Sequence, residues 1–161
     1  MGDVSYKPLI SDMTWSFSRV ESFGMCPYRW FLRYIRGWTE DGMFYASYGT
    51  LMHKIIRKYY EGELTKPQML TYFLTHFKSD VVGTRPQEST VKKYIDAGVE
   101  YLKNFKPFPY NTIAVEKTVE FDVDGIPFIG ILDYIGEKDG KYCIVDNKSR
   151  ELKPRSGRVK P

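Results

Sequence analysis

The spacing of apolar residues changes once along the chain, near residue 110. Before that point it is helical. In "TWSFSRVESF", Ser16 or Ser18 can cap a short helix that carries Val20 and Phe23 on one side. "MCPYRW" then puts Pro27 in the first turn of a second helix, which runs to about 35–37. A loop is expected over Gly42 to Tyr48. After it, "GTLMHKIIRKYYEGEL" places Leu51, Met52, Ile55, Ile56, Tyr59 and Tyr60 on one stripe, with Lys54, Arg57 and Lys58 off it. Two further helices follow, from Lys66 to about Lys78 and from Glu88 to Phe105, before the prolines of "KPFPYN" stop the pattern.

From Ile113 the period becomes about two. "IAVEKTVEFDV", a turn at Asp124 and Gly125, "IPFIGILDYIG", a second turn in "KDGK" and "YCIVDNKS" read as three consecutive antiparallel strands. The predicted fold class is therefore α+β, a helical N-terminal half feeding a β meander.

A chain of 161 residues is long enough for one domain with a real core, so a single domain is expected: a helical part over 14–110, a sheet part over 111–150 and a basic tail over 151–161. No apolar run approaches the roughly 20 residues of a membrane span, so no membrane partner is expected. "MGDVSYKPLI" lacks the basic start and long apolar stretch of a secretory signal, and the expected location is cytoplasmic. Cys26 and Cys143 alone make neither a disulfide framework nor a zinc site.

The net charge of +4 does not by itself call for a nucleic-acid partner, but its distribution is uneven. "RVESFGMCPYRWFLRYIRGW" sets Arg19, Arg29, Arg33 and Arg36 among aromatic residues, and "KPRSGRVKP" is basic throughout. Arginine beside aromatic rings suits phosphates and stacked bases. The same rings serve equally well to pack a helix onto a core while the arginines snorkel outward.

Four polar features stand where a packed meander does not need them. Glu116 interrupts the first strand, Asp133 follows the apolar run of the second, and Asp146 and Lys148 end the third, on one face if the strand continues that far. Taken alone, Asp146 and Lys148 are a surface ion pair worth about 0–1 kcal/mol. Neighbouring strands, however, would bring all four together, and gathered carboxylates call for a divalent cation such as Mg²⁺ or Mn²⁺. An ammonium beside such a site can stabilise charge in a transition state or orient the attacking water.

With these residues the chain resembles the PD-(D/E)xK nuclease superfamily, in particular its RecB-like and Cas4-like branch. "SFSRVESFGMCPYRWFLRY" looks like the opening helical segment of the branch and "GTLMH" like its G-x-x-x-H motif; "AVEKTVEF", "GILD" and "IVDNKS" look like the strand motifs carrying Glu116, Asp133 and the D-x-K pair. The resemblance covers about residues 14–150 and implies a restriction-endonuclease-like core. It also implies that His53, Asp133 and Asp146 bind the metal with the backbone carbonyl of Asn147, that Lys148 is catalytic and that Glu116 supports the site, through a water or as an occasional ligand. The activity implied is metal-dependent hydrolysis of DNA, as an exonuclease, in recombination, repair, or CRISPR or phage DNA processing. DNA as single strands or duplex ends is the expected partner, with Arg29, Arg33, Lys54 and Lys58 as nucleic-acid-binding residues. A catalytically inactive nucleic-acid-binding or assembly module with the same fold is the alternative.

In the Cas4-like branch the cysteine matching Cys26 is one of four ligands of an iron–sulfur cluster. A cluster needs about four thiolates, which this sequence does not hold, so Cys26 is expected to be unligated unless the set is completed outside the chain. The C-terminal helix and last strand that the branch implies have no match, so the chain is expected to be truncated. A sheet of three strands then leaves an open edge that favours a homodimer or strand exchange.

Overall fold

The computed structural model describes residues 10–38 and 43–148. The basic tail and any continuation of it lie outside these residues. Among the described residues these helices precede an antiparallel sheet: α1 (Phe17–Met25), α2 (Pro27–Tyr34), α3 (Phe44–Tyr60), α4 (Lys66–Asp80), α5 (Glu88–Lys103), then β1 (Asn111–Val123), β2 (Ile126–Lys138) and β3 (Lys141–Val145). The strand order is β1-β2-β3. No described helix is long and apolar enough to cross a membrane.

Both hairpins turn where Asp-Gly pairs stand. Asp124 and Gly125 have φ of 53° and 81°, and Asp139 and Gly140 have φ of 55° and 74°. A two-residue hairpin loop with positive φ at both positions matches the twist of the flanking strands, and Asp-Gly reaches it at low cost.

The described residues fall into two compact units, 10–38 with 118–131 and 43–117 with 132–148. In the first, Ser16 caps α1 by accepting from the Arg19 N–H, and the Cys26 thiol takes the same role toward Arg29 at the start of α2. Trp30 is buried there, stacked on Trp15 at 5.7 Å and met edge-on by Phe23. Trp15 is itself tied to β2, donating to the Pro127 carbonyl at 2.7 Å and accepting from the Ile129 N–H at 2.8 Å.

In the second unit the stripe of α3 closes on α4 and α5. Leu51, Ile55, Met69, Phe73, Val91 and Leu102 are almost wholly buried. The helix α3 begins at Phe44, so the loop expected over Gly42 to Tyr48 is largely helical. Phe44 and Tyr48, one turn apart, are both buried and pack edge-on against Tyr94 and Phe77. Met43 at the N-cap makes no side-chain capping bond, so the sequence carries no start signal there and packing decides the boundary. Tyr134 of β2 is buried under Tyr60 and Phe108, with its hydroxyl 3.2 Å from the Thr112 hydroxyl.

Burial, reinforced by Tyr94, pushes the Tyr48 hydroxyl up to about 12. An unfolded chain would ionise this tyrosine near pH 10, so its contribution is fully present below pH 10 and is lost as pH rises toward 12, by up to about 3 kcal/mol. Urea midpoints at pH 9 and 11.5 are expected to differ markedly for the wild type and less for Tyr48→Phe; equal shifts would contradict this account.

Candidate metal centre

Three elements of the second unit each supply one donor. His53 sits in the middle of α3, at the edge of the buried stripe, with Met52 and Ile56 fixing that side of the helix. Its Nδ1 lies 3.4 Å from Glu116 Oε1 and 3.6 Å from Asp133 Oδ1. One ligand atom from each of His53, Glu116 and Asp133 lies within 4.8 Å of the others.

Glu116 reaches this position through an irregular backbone. Its φ of 50° is left-handed, uncommon for a glutamate and foreign to a regular strand. The side-chain alternation of β1 is out of step on its two sides. Thr112 meets the hydroxyl of Tyr134, an even position of β2. Further along, it is the odd-numbered Val119 that lies where a side chain at Gly130, also even in β2, would point. One extra residue between them accounts for the change, as in a β-bulge. Regular alternation would give Glu116 and Glu120 the same face; instead Glu116 meets His53 and Glu120 is exposed.

Asp133 follows Leu132 and precedes the fully buried Tyr134, so β2 is held firmly at this point. Its Oδ2 accepts a hydrogen bond of 2.6 Å from the Asn147 backbone N–H, while Oδ1 faces His53. Asn147 therefore meets the site through its N–H, a contact the sequence reading missed; an Asn directly after a strand-terminal Asp gives no signal for it. Tyr134 was missed as well. Its signal was an aromatic residue directly after the candidate aspartate in "GILDYIG".

The strand β3 stops at Val145, so Asp146 and Lys148 lie beyond it and not on a strand face as expected. The Asn147 N–H bonds to a side chain here and not to a strand partner. Asp146 and Lys148 nevertheless meet at 2.7 Å, both largely exposed. The Lys148 ammonium, helped by the neighbouring Asp133 and His53, holds the Asp146 carboxyl below the usual carboxylate range, against a smaller opposing effect of burial. Asp146 stays outside the three-residue group, and Glu116, expected to support the site through a water or as an occasional ligand, stands inside it.

Of the residues expected to bind nucleic acid, Lys54 pairs with Asp80 at 3.0 Å, and Lys58 pairs with Glu63. Both ammonium groups also lie over the Tyr72 ring. Arg29 and Arg33 belong to α2 in the other unit. Cys26 is exposed, its sulfur accepting from the Arg29 N–H at the helix start.

The donor set fits a hard divalent ion. Among the described residues neither Glu116 nor Asp133 pairs with a lysine or arginine; both face the His53 imidazole, and Asp133 also accepts from the Asn147 N–H. Two carboxylates and a ring nitrogen converging in this way offer oxygen and nitrogen donors that a divalent cation accepts.

The family model of the PD-(D/E)XK nuclease superfamily matches residues 14–160. The chain belongs to this superfamily. No curated protein and no solved structure gives a significant match. Members of the PD-(D/E)XK superfamily are nucleases that use divalent metals, so the substrate class is nucleic acid and the reaction hydrolysis. The helical N-terminal half followed by a three-strand antiparallel meander is consistent with the fold of this superfamily.

Proposed function

We propose that the protein is a Mg²⁺- or Mn²⁺-dependent deoxyribonuclease of the RecB/Cas4-like type that degrades DNA from its ends. The observation that carries this reading is the convergence of His53, Glu116 and Asp133, without a lysine or arginine partner among the described residues, adjoined by Asp146, which holds Lys148. His53, Glu116 and Asp133 would hold the ion, and Asp146 adjoins them. When bound, the ion supplies Lewis acidity and lowers the pKa of a coordinated water.

The chain's own groups divide the remaining work. The Asn147 N–H fixes one oxygen of Asp133, which leaves the other aimed at the donor group. Asp146 holds the Lys148 ammonium by the 2.7 Å contact. From there Lys148 can release Asp146 in favour of a phosphodiester oxygen and stabilise the negative charge that grows on it.

Lys148→Ala is expected to lower metal-dependent cleavage of DNA ends by about 100- to 1000-fold while Mn²⁺ binding by calorimetry stays within about twofold of wild type. Loss of metal binding in this variant would place Lys148 in a structural role instead. The exposed Asp146–Lys148 contact also suits a second reading, a nucleic-acid-binding module without catalysis, because the ammonium is already neutralised by its neighbour. Absence of cleavage by the wild type with Mn²⁺ bound would favour that module.

A further inference from the structure

A concavity of about 420 Å³ lies between α4 and α5, lined by Leu74, Phe77 and Lys78 of α4, by Ile95 of α5 and by Arg85 of the segment that joins them. None of the five belongs to the group formed by His53, Glu116 and Asp133. Helical spacing i, i+3, i+4 sets the three α4 residues on one side. Floor and rim differ in chemistry. Phe77 closes the floor with 8% of its surface exposed and Ile95 is half-buried beside it, whereas Leu74 stands 53% exposed. Lys78 and Arg85 are exposed at the edge, and neither pairs with a carboxylate among the described residues. Asp80 and Asp96, near Lys78 and Ile95 in sequence, are taken by Lys54 at 3.0 Å and by Lys92 at 2.8 Å.

The wall that carries Arg85 is anchored. The Ser47 hydroxyl of α3 accepts from the Val82 N–H at 3.0 Å and donates to the Val82 carbonyl at 2.8 Å, and Thr84 forms a bridge with Met43. The backbone under Arg85 therefore needs little ordering when a partner arrives. An apolar floor edged by unpaired positive charge complements a ligand that is apolar at its centre and negative around it. A nucleotide fits poorly, because base stacking needs an open ring face and Phe77, the ring in this lining, is almost wholly covered. A small molecule fits poorly too, because such sites enclose most of their ligand, and here Leu74, Lys78 and Arg85 stay open. A peptide can set one large side chain on Leu74, Phe77 and Ile95 while acidic neighbours meet the two cations.

We infer that the concavity between α4 and α5 docks an acidic peptide segment of a partner protein, with a large apolar side chain on its floor and flanking carboxylates on Lys78 and Arg85. This goes beyond the nuclease reading and does not depend on it.

The test uses the full chain and a fluorescein-labelled peptide, a central phenylalanine with two aspartates on each side and two glycines at each end, followed by anisotropy at several salt concentrations. Saturable binding with a Kd of about 10–100 μM is expected. Lys78→Gln/Arg85→Gln should weaken it roughly tenfold and flatten its salt dependence, as loss of rim charge requires. Leu74→Ala should weaken it roughly fivefold with the salt dependence unchanged, and so should alanine in place of the peptide's phenylalanine. Urea midpoints should stay as in wild type, since all three substituted side chains are exposed. Lack of saturable binding up to about 1 mM, an affinity unmoved by the variants, or equal binding of a peptide with asparagine in place of aspartate would overturn the inference. A dT20 strand that binds more tightly than the peptide and loses affinity in the same variants would assign the concavity to nucleic acid and overturn it as well. The nuclease reading is judged separately, by cleavage of DNA ends with Mn²⁺.

Discussion

Asp133→Asn should abolish the metal site while leaving the fold intact. Asparagine keeps the size of the side chain and an oxygen that can still accept from the Asn147 N–H, the 2.6 Å contact that ties the end of β3 to β2. It removes the charge from the one carboxylate that is both near His53 and held in place by the backbone. Groups that merely support a metal ligand change affinity by about 10- to 100-fold, so losing a ligand should exceed that range. Mn²⁺ affinity is expected to fall at least 100-fold and cleavage of DNA ends with it, while the urea midpoint moves little. Glu116→Gln should behave alike, because its carboxylate stands at the same imidazole. Asp146→Asn should cost less in metal affinity and more in the placement of Lys148, given the 2.7 Å contact between them. Calorimetric titration of the three variants orders them, and an Asp133→Asn protein that binds Mn²⁺ as well as wild type would remove the assignment.

The second large effect concerns the scaffold under His53. Phe73 of α4 is fully buried and packs edge-on against Tyr48 of α3 and Phe77 of its own helix. Facing it on α5 is Gly98, where an added Cβ would lie 2.5 Å from the Phe73 ring. The ring fills the space that the missing side chain leaves, so no other group stands ready to close a cavity there. Phe73→Ala is therefore expected to cost about 3–5 kcal/mol, a large part of the roughly 5–15 kcal/mol that holds a domain folded. Gly98→Ala should cost about 1–3 kcal/mol by overpacking the same contact. In the double variant the new methyl enters the vacated volume, and its cost should fall below the sum of the two singles. Urea unfolding measures all three, and simple additivity would show that the two residues do not share this space.

Some of this was legible in the residues alone. Apolar spacing located the body of every described helix, and the Asp-Gly pairs located both hairpin turns, because each depends on groups only a few positions apart. The start of α3 was not legible. Phe44 and Tyr48 become helical by packing on Phe77 and Tyr94, which lie far along the chain. The residues of the candidate site were likewise named from the sequence, through a resemblance to a family of nucleases, but their grouping was not. Glu116 stood as a support or an occasional ligand and Asp146 as a ligand; in the structure Glu116 stands with His53 and Asp133, and Asp146, adjoining them, holds Lys148.

The sequence by itself determined the order of helices and strands, the turns, and which residue types could meet a metal ion, since local periodicity and composition act without distant partners. Only the tertiary structure decided which of those residues meet. An extra residue with left-handed backbone at Glu116 shifts the alternation of β1, and an Asn147 N–H bonded to Asp133 marks where β3 ends. Both depend on what lies across the sheet, and no spacing within a single strand records that.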